Sequence, residues 1–249
     1  TLLDDALAIC DKYENIFTDP FHGELLGALE SAIHEQGYYM MIYTSEDIDE
    51  IVRNVVSWNT EGLILIGMLH DDYLKIRSKY KKPAVLIDSY TPKNIARYVN
   101  IGLDDEEGGY LMTKYLLDCG HRKIAFLADN MEGVDYIRYT GHQRALQEYG
   151  LDIDLDNLIV IRPSKYERQR SMDEIYAVAH KFTAFMCCSD YYAVTLMKYL
   201  KDKGIRFPED LSITGFDDNL SPPLPSPFLS SFLLFLFLLP SLSSFSLFK

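Results

Sequence analysis

The chain repeats one pattern from Leu7 to Gly215: a short apolar run, a polar step, and a segment whose apolar residues have helical spacing. The runs are dense in Ile, Leu, Val, Phe or Met and lack the polar alternation of a sheet with one wet face. Such runs are typical of strands that are covered on both faces. Eight of them are predicted to be strands, namely ALAIC, YYMMIY, GLILIG, AVLID, KIAFLAD, LIVI, AFMCC and LSITGF.

The intervening segments are predicted to be helices. Asp19 is a candidate N-cap with Pro20 at the first helical position, and the helix that follows is predicted to stop at Gly37. Strands that alternate with helices predict an α/β fold of βαβ units with parallel, doubly wound sheets. The helical stripes are Leu25, Leu26, Leu29 and Ile33; Ile48, Ile51, Val52, Val55 and Val56; Leu111, Met112, Tyr115 and Leu116; and Ala193, Leu196, Met197 and Leu200.

Acids and a hydroxyl follow several of the predicted strands. Ligands of such sheets bind beyond the carboxyl ends of the strands, so these side chains are expected to meet at one edge. Convergent carboxylates indicate a polar ligand with many hydrogen-bond donors, such as a sugar, although helix capping is favoured for Asp190. The residues are Asp88, Asp129, Ser189 with Asp190, and Asp217 with Asp218.

Composition narrows the class of protein. The chain has 249 residues, enough for two lobes, and a net charge of −13 with a pI near 4.8. Because this charge repels phosphate backbones, the chain alone is not expected to bind nucleic acid. The N-terminus lacks the features of a secretory signal, and four cysteines without CxxC spacing suit a reducing cytoplasm. A cytoplasmic location is therefore predicted.

Catalytic and cofactor motifs are missing from the sequence. It contains no GxGxxG after a strand, no GxxxxGK[ST], no HExxH and no GxSxG, and its six histidines show no ligand spacing. The glycines of EEGGY, at Glu106–Tyr110, suit close helix packing better than a phosphate cradle. We therefore predict neither catalysis, nor a metal, nor a cofactor.

Several stretches resemble the effector domain of the lactose-repressor/galactose-repressor (LacI/GalR) family. They are DPFHGELLGALESAIHEQGY, TEGLILIG, VNIGLDDEEGGYLMTKYLLDCGHRKIAFLAD, RYTGHQRALQEYGLDID and CCSDYYAVTLMKYLKDKGIRFPEDLSITGFDD. Together they cover most of Ala6 to Asp218, and GHRKI and PEDLSITGFDD are the most specific parts. The resemblance implies a periplasmic-binding-protein-like fold of type I, with two Rossmann-like lobes and a ligand cleft between them. The N-terminal lobe would be 1–101, completed by part of 226–249, and the C-terminal lobe 102–219.

The resemblance places four candidate ligand-binding residues in the first lobe. Asp19 and Phe21 match the turn after the first strand that meets the ligand in family members, and His22 follows them. Asp88 matches an acid that ends the fourth strand. For Phe21, packing in the core is an equally favoured alternative.

Four more candidates lie in the second lobe. Arg138 matches an arginine that clamps the effector, and the alternative is an ion pair with a neighbouring acid such as Asp135. Tyr166 matches a stacking aromatic, and the alternative is an exposed loop residue. Ser189 stands where the family carries Asn. Asp217 matches an acid that accepts hydrogen bonds from effector hydroxyls, and the alternative is a turn former.

The resemblance implies the sensing and dimerising domain of a transcriptional repressor. A small sugar-like effector would control DNA binding allosterically through an N-terminal helix-turn-helix domain that this chain lacks, and no membrane partner is implied. The alternative is a solute-binding protein of a sugar transport system, with an enzyme a distant third. Sequence upstream of Thr1 would distinguish the first two, since one requires a helix-turn-helix and the other an export signal.

The last part of the sequence departs from this pattern. Leu220 to Phe248 contains only Leu, Ser, Pro and Phe. Its longest apolar run is too short for a membrane span, which needs about 20 residues, and it is more apolar than a disordered tail. The favoured interpretation is that the recorded sequence of 220–249 departs from the natural one.

Overall fold

The computed structural model describes residues 6–11, 20–89, 99–161 and 165–217. The described chain forms two compact units, of which the first ends at Leu103 and the second begins at Asp104. We call them unit 1 and unit 2. The boundary predicted from the sequence, between residues 101 and 102, lies two residues earlier. The predicted tail, 220–249, and the predicted completion of the first lobe by 226–249 lie outside the described residues.

Unit 1 is a five-stranded parallel sheet with three helices. The strand order is β2-β1-β3-β4-β5, and all neighbouring pairs are parallel. The strands are β1 (Ala6–Asp11), β2 (Tyr39–Thr44), β3 (Gly62–Ile66), β4 (Ala84–Ile87) and β5 (Val99–Ile101), and the helices are α1 (Pro20–Glu35), α2 (Ile48–Trp58) and α3 (His70–Lys79).

Unit 2 repeats this arrangement with four strands. The order is β7-β6-β8-β9, again entirely parallel. The strands are β6 (Ile124–Ala128), β7 (Leu158–Val160), β8 (Ala184–Cys187) and β9 (Ser212–Thr214), and the α-helices are α4 (Asp105–Asp118), α5 (Gly133–Glu148), α6 (Lys165–Val178) and α7 (Asp190–Asp202); short 3-10 helices span Leu155–Asn157 and Ala179–Lys181.

Alternate residues of β1 show that its sheet is covered on both faces. Ala8 and Cys10 pack against residues of α2 and α3, whereas Ile9 packs with Leu26 and Ile33 of α1. The α/β fold with parallel sheets, read from uninterrupted apolar runs, is confirmed, and all eight predicted strands are present.

One strand was missed by the sequence analysis. β5 has three residues and pairs only with β4 in the described sheet. Its Val99 and Ile101 are 45% and 41% exposed. A strand this short, at a sheet edge and with no buried apolar run, carries little of the signal that identified the others.

The predicted start and end of α1 are also observed, and two other helices end in the same way. α1 begins at Pro20, and its predicted N-cap, Asp19, lies outside the described residues. Gly37, Gly120 and Gly204 follow α1, α4 and α7 with φ values of 82°, 94° and 88°. Glycine adopts this left-handed backbone without a Cβ clash, which is why it ends each helix.

Helices α4 and α5 cross at contact distance because each has a glycine that faces the backbone of the other helix. A Cβ on Gly109 would lie 2.1 Å from the carbonyl oxygen of Arg138, and one on Gly141 would lie 1.9 Å from that of Glu106. The glycines of EEGGY therefore serve helix packing, as predicted, and they bring the N-terminal turn of α4 against the residues of α5.

His142 lies inside the core of unit 2. Its Nδ1 is 2.9 Å from Thr113 Oγ1, and its ring packs near Phe126 and Tyr139. Burial lowers the pKa of His142 from 6.5 to about 3, because the charged form would lose its hydration.

The stability of unit 2 is therefore expected to fall in acid. The unfolded chain binds a proton at His142 below pH 6.5, whereas the folded chain does so only near pH 3. Between these limits His142 should cost about 1.4 kcal/mol of stability for each pH unit lost. Urea unfolding at pH 7, 6 and 5 should show a shallower pH dependence for His142→Gln than for wild type. The exposed His34→Gln is the control, and equal slopes in all three proteins would contradict the assignment.

Three features of the described residues bear on function. No described helix is long and apolar enough to span a membrane. Within the same ranges, no group of three or more His, Cys, Asp or Glu side chains is arranged to hold a metal ion. None of the four cysteines forms a disulfide.

Candidate functional site

The strand order locates the edge of each sheet where a ligand is expected. In unit 2 the order reverses between β6 and β8, and ligands of open parallel sheets bind beyond the carboxyl ends of the strands at such a reversal. Asp129 follows β6, Ser189 follows β8 and Asp217 follows β9. Three of the strand-end residues identified in the sequence therefore lie at the same edge.

Arg138 connects this edge to α4 and α5. From α5, its Nε donates to Asp105 Oδ1 at 2.8 Å and its Nη2 donates to Asp217 Oδ1 at 3.2 Å. Its Nη1 donates to the carbonyl oxygen of Cys188, directly before Ser189. The predicted residues Arg138 and Asp217 are thus in direct contact, and Ser189 directly follows Cys188, whose carbonyl oxygen also accepts from Arg138.

An aromatic ring fixes the plane of the guanidinium. The Cζ atom of Arg138 lies 3.6 Å from the ring centroid of Phe216, a distance suited to cation–π attraction. Phe216 in turn occupies the space left by Gly108, where a Cβ would come within 2.6 Å of the ring. Gly108 thereby makes room for the ring that supports Arg138.

Burial makes the charges of this cluster strongly interdependent. Burial raises the pKa of Asp105, and the guanidinium of Arg138 opposes that rise. Burial alone would lower the pKa of Arg138, but the carboxylates of Asp105 and Asp217 outweigh it and raise that pKa. The arginine is therefore charged in the folded protein.

The alternative given for Arg138, an ion pair, is observed, but not with the neighbouring acid Asp135. Asp135 instead accepts hydrogen bonds from the backbone N–H groups of Asp129 and Asn130, at 2.9 and 3.3 Å. It thereby orders the turn between β6 and α5. The ion pairs of Arg138 are made with Asp105 and Asp217, which are distant in sequence.

Two candidate acids, each of which follows the fourth strand of its unit, have a positive φ. Asp88, after β4, has φ of 48°, and Asp217, after β9, has φ of 101°. Among the described residues only Asn59, the C-cap of α2, is another non-glycine residue with positive φ. A left-handed backbone costs free energy for residues with a Cβ and is concentrated at functional sites.

Ser189, rather than Asp190, occupies the N-cap position of α7, so the capping role favoured for Asp190 is wrong. Asp190 is the first residue of the helix, and its backbone N–H donates to the carbonyl oxygen of Phe216 at 2.8 Å. The Oγ of Ser189 is shielded from solvent and makes no hydrogen bond to any described residue. A buried hydroxyl normally has a partner, and a ligand at this edge would supply one.

The candidate ligand-binding residues of unit 1 lie in α1 and directly after β4. Phe21 and His22 lie in the first turn of α1, partly exposed, with ring centroids 5.6 Å apart in an edge-to-face arrangement. Asp88 is partly exposed after β4, and a Cβ on Gly102 would lie 3.1 Å from its carboxylate. Asp19 lies outside the described residues.

Tyr166 is the second residue of α6 and not a loop residue, and its side chain lies outside the described part of the structure. The alternative given for Tyr166, an exposed loop residue, is therefore wrong as to the loop, since the helix begins at Lys165. The stacking role of Tyr166 stays a prediction.

Asp105, Phe216 and His70 were not among the site residues predicted from the sequence. Asp105 and Phe216 hold Arg138, as described above. His70 begins α3 just after β3, and its Nδ1 is shielded from solvent without a hydrogen bond to a described residue. Its position shortly after the run GLILIG was the available signal, since β3 flanks the point where the strand order of unit 1 reverses.

Comparison with known proteins agrees with this architecture. Residues 113–234 match the model of the periplasmic binding protein-like domain. The chain is 30% identical over 221 residues to the HTH-type transcriptional repressor PurR of Vibrio atlanticus, a match that covers 83% of this chain and 65% of that protein. The chain thus spans slightly less than two thirds of this relative.

Solved structures share the fold. A complex of the transcriptional regulator CelR with cellobiose superposes with a TM-score of 0.75 at 22% identity and covers 87% of this chain and 68% of that one. A periplasmic binding protein/LacI transcriptional regulator from Alkaliphilus metalliredigens, complexed with D-xylulofuranose, gives 0.69 at 20% identity over 86% and 79% of the two chains. Two parallel α/β units, the match over residues 113–234 and these shared folds lead to one conclusion: the chain has the periplasmic-binding-protein-like fold, and it is similar in sequence to transcriptional repressors.

Proposed function

We propose that the chain is the effector-sensing and dimerising domain of a transcriptional repressor, and that its effector is a sugar or a closely related polyol. The observation that carries the proposal is the contact between Arg138 and Asp217 at the carboxyl edge of the unit 2 sheet. The relative in Vibrio atlanticus is a transcriptional repressor, and two proteins of similar fold are complexed with cellobiose and D-xylulofuranose.

The chemistry of the described residues suits a ligand that is rich in hydroxyl groups. The carboxylate of Asp217 can accept from two neighbouring hydroxyls, and its side chain is 10% exposed, so part of it is reachable. The Oγ of Ser189, on the residue after Cys188, offers a second polar contact at the same edge of the sheet. Asp88 and His22, in unit 1, stay predicted ligand contacts.

Control of DNA binding would belong to a domain outside this sequence. The net charge of −13 disfavours contact with phosphate backbones by this chain itself. A solute-binding protein of a transport system is less favoured, because the relatives found are repressors. Those relatives are regulators, and the proposal assigns the chain no catalytic activity.

Binding of an uncharged sugar should raise the melting temperature of the chain. A panel of monosaccharides and disaccharides, purine bases and amino acids, tested by thermal shift and confirmed by calorimetry, should yield at least one sugar that binds. Asp217→Asn should weaken binding of that sugar about tenfold or more, because hydrogen bonds to a charged acceptor are worth about 1.5–3 kcal/mol.

Asp210→Asn is the matched control for this substitution. Asp210 is an exposed acid whose carboxylate binds Arg206 on the surface. It should leave sugar binding unchanged. Failure of every sugar to bind the folded chain, or equal binding by both variants and wild type, would refute the proposed effector or its site.

A further inference from the structure

The charges around Arg138 do not balance. One guanidinium is paired with two carboxylates, those of Asp105 and Asp217, so the three side chains together carry a net charge of −1. Asp129 and Asp190 also follow the strands at this edge. Arginine is otherwise the side chain best suited to phosphate and carboxylate ligands, because its planar fork binds both oxygens of such groups.

Asp105 is too deeply buried to touch a ligand at this edge of the sheet. Its side chain is 1% exposed, against 8% for Arg138, and it reaches the arginine from the first residue of α4. It acts on the ligand only through Arg138. It holds Nε, while Phe216 holds the plane of the guanidinium and the Cys188 carbonyl holds Nη1.

An anionic ligand would therefore meet an arginine that is already neutralised. To pair with Arg138, a phosphate would have to displace the carboxylate of Asp217 or lie beside it, and both alternatives bring like charges together. A hydroxyl group carries no such penalty, since it donates to Asp217 and leaves the ion pairs intact.

We propose that Asp105 is a specificity-determining positioning residue that makes the site select uncharged, hydroxyl-rich ligands over phosphorylated sugars and sugar acids. This inference rests on the proposed function, because it concerns the same site. It specifies that the effector is uncharged, and it assigns this selection to a residue that does not contact the effector.

The test compares matched probes. Glucose, xylose and cellobiose represent uncharged sugars; glucose 6-phosphate and gluconate represent the anions; inorganic phosphate is the minimal probe. Each is titrated against wild type, Asp105→Asn and Glu106→Gln. Glu106 is the matched control, since it is the next residue of α4 but pairs with Arg144 on the surface.

Wild type should bind no anion more tightly than the corresponding uncharged sugar. Asp105→Asn should gain affinity for inorganic phosphate by about tenfold or more. A single charge at contact distance shifts the pKa of a neighbouring group by about one unit or more, which corresponds to a tenfold change in an equilibrium constant. Glu106→Gln should not. Should Asp105→Asn fail to fold, Asp217→Asn removes the other carboxylate and should show the same gain for phosphate.

The outcomes separate the two proposals. If a sugar phosphate binds wild type more tightly than its parent sugar, the charge selection is refuted while the sugar effector stands. If no sugar binds, the proposed effector is refuted, and the phosphate gain of Asp105→Asn still decides the role of Asp105. Equal phosphate binding by wild type and by a folded variant lacking either carboxylate would overturn the inference.

Discussion

Replacing Arg138 by alanine is expected to lower the free energy of unfolding by about 3–5 kcal/mol, because it leaves the buried carboxylate of Asp105 without its counter-charge. Both side chains are almost fully buried, and they are joined at 2.8 Å. Urea unfolding followed by far-UV circular dichroism measures the loss. The single tryptophan, Trp58, belongs to unit 1, and the transition reported by its fluorescence should move less.

Arg144→Ala is the matched control for this experiment. Arg144 is on the same helix and pairs with Glu106 at 2.9 Å, but its side chain is 42% exposed. Exposed pairs of this kind contribute at most about 1 kcal/mol. The double variant Arg138→Ala with Asp105→Asn should recover part of the stability, since the unpaired charge is gone. A loss for Arg138→Ala as small as that for Arg144→Ala would contradict the buried ion pair.

Substitution of Gly109 by alanine is expected to destabilise unit 2 by about 3 kcal/mol or more, through overpacking at a site where the backbone must move. The new methyl group would lie 2.1 Å from the carbonyl oxygen of Arg138. Because the clash displaces α5 from α4, it should also weaken binding of any effector found by the sugar panel. The melting temperature and the binding titration report the two effects.

Gly27→Ala provides the opposite expectation. Gly27 lies in α1, and a Cβ there would meet nothing within 4 Å. Alanine should therefore be neutral or should stabilise the chain by up to about 1 kcal/mol through its higher helix propensity. If both glycine variants were equally stable, α4 and α5 would not cross as closely as the structure shows.

The sequence predicts most of this fold because burial on both faces leaves a strong local signal. The runs that became β3, β6 and β8 are apolar at nearly every position and are almost wholly buried. β5 is exposed at alternate positions and has three residues, so its pairing with β4 decides its conformation. That pairing is a contact between distant parts of the chain, which periodicity does not report.

The candidate site, like the fold, was only partly predictable from local sequence. The strand-end positions of Asp88, Ser189 and Asp217 follow from local sequence, and the family resemblance adds Arg138. The partner of Arg138 does not follow, because Asp105 and Asp217 are 33 and 79 residues away. A rule based on neighbouring residues of one helix selects Asp135, which the backbone of the preceding turn has already bound.

The strand orders of the two sheets bear on the origin of the chain. β1 to β4 are arranged as β6 to β9 are, with the second strand at the edge and the first strand inside it. Duplication and fusion of one ancestral half would produce this repetition. In both halves an acid with a positive φ follows the fourth strand, Asp88 in one and Asp217 in the other.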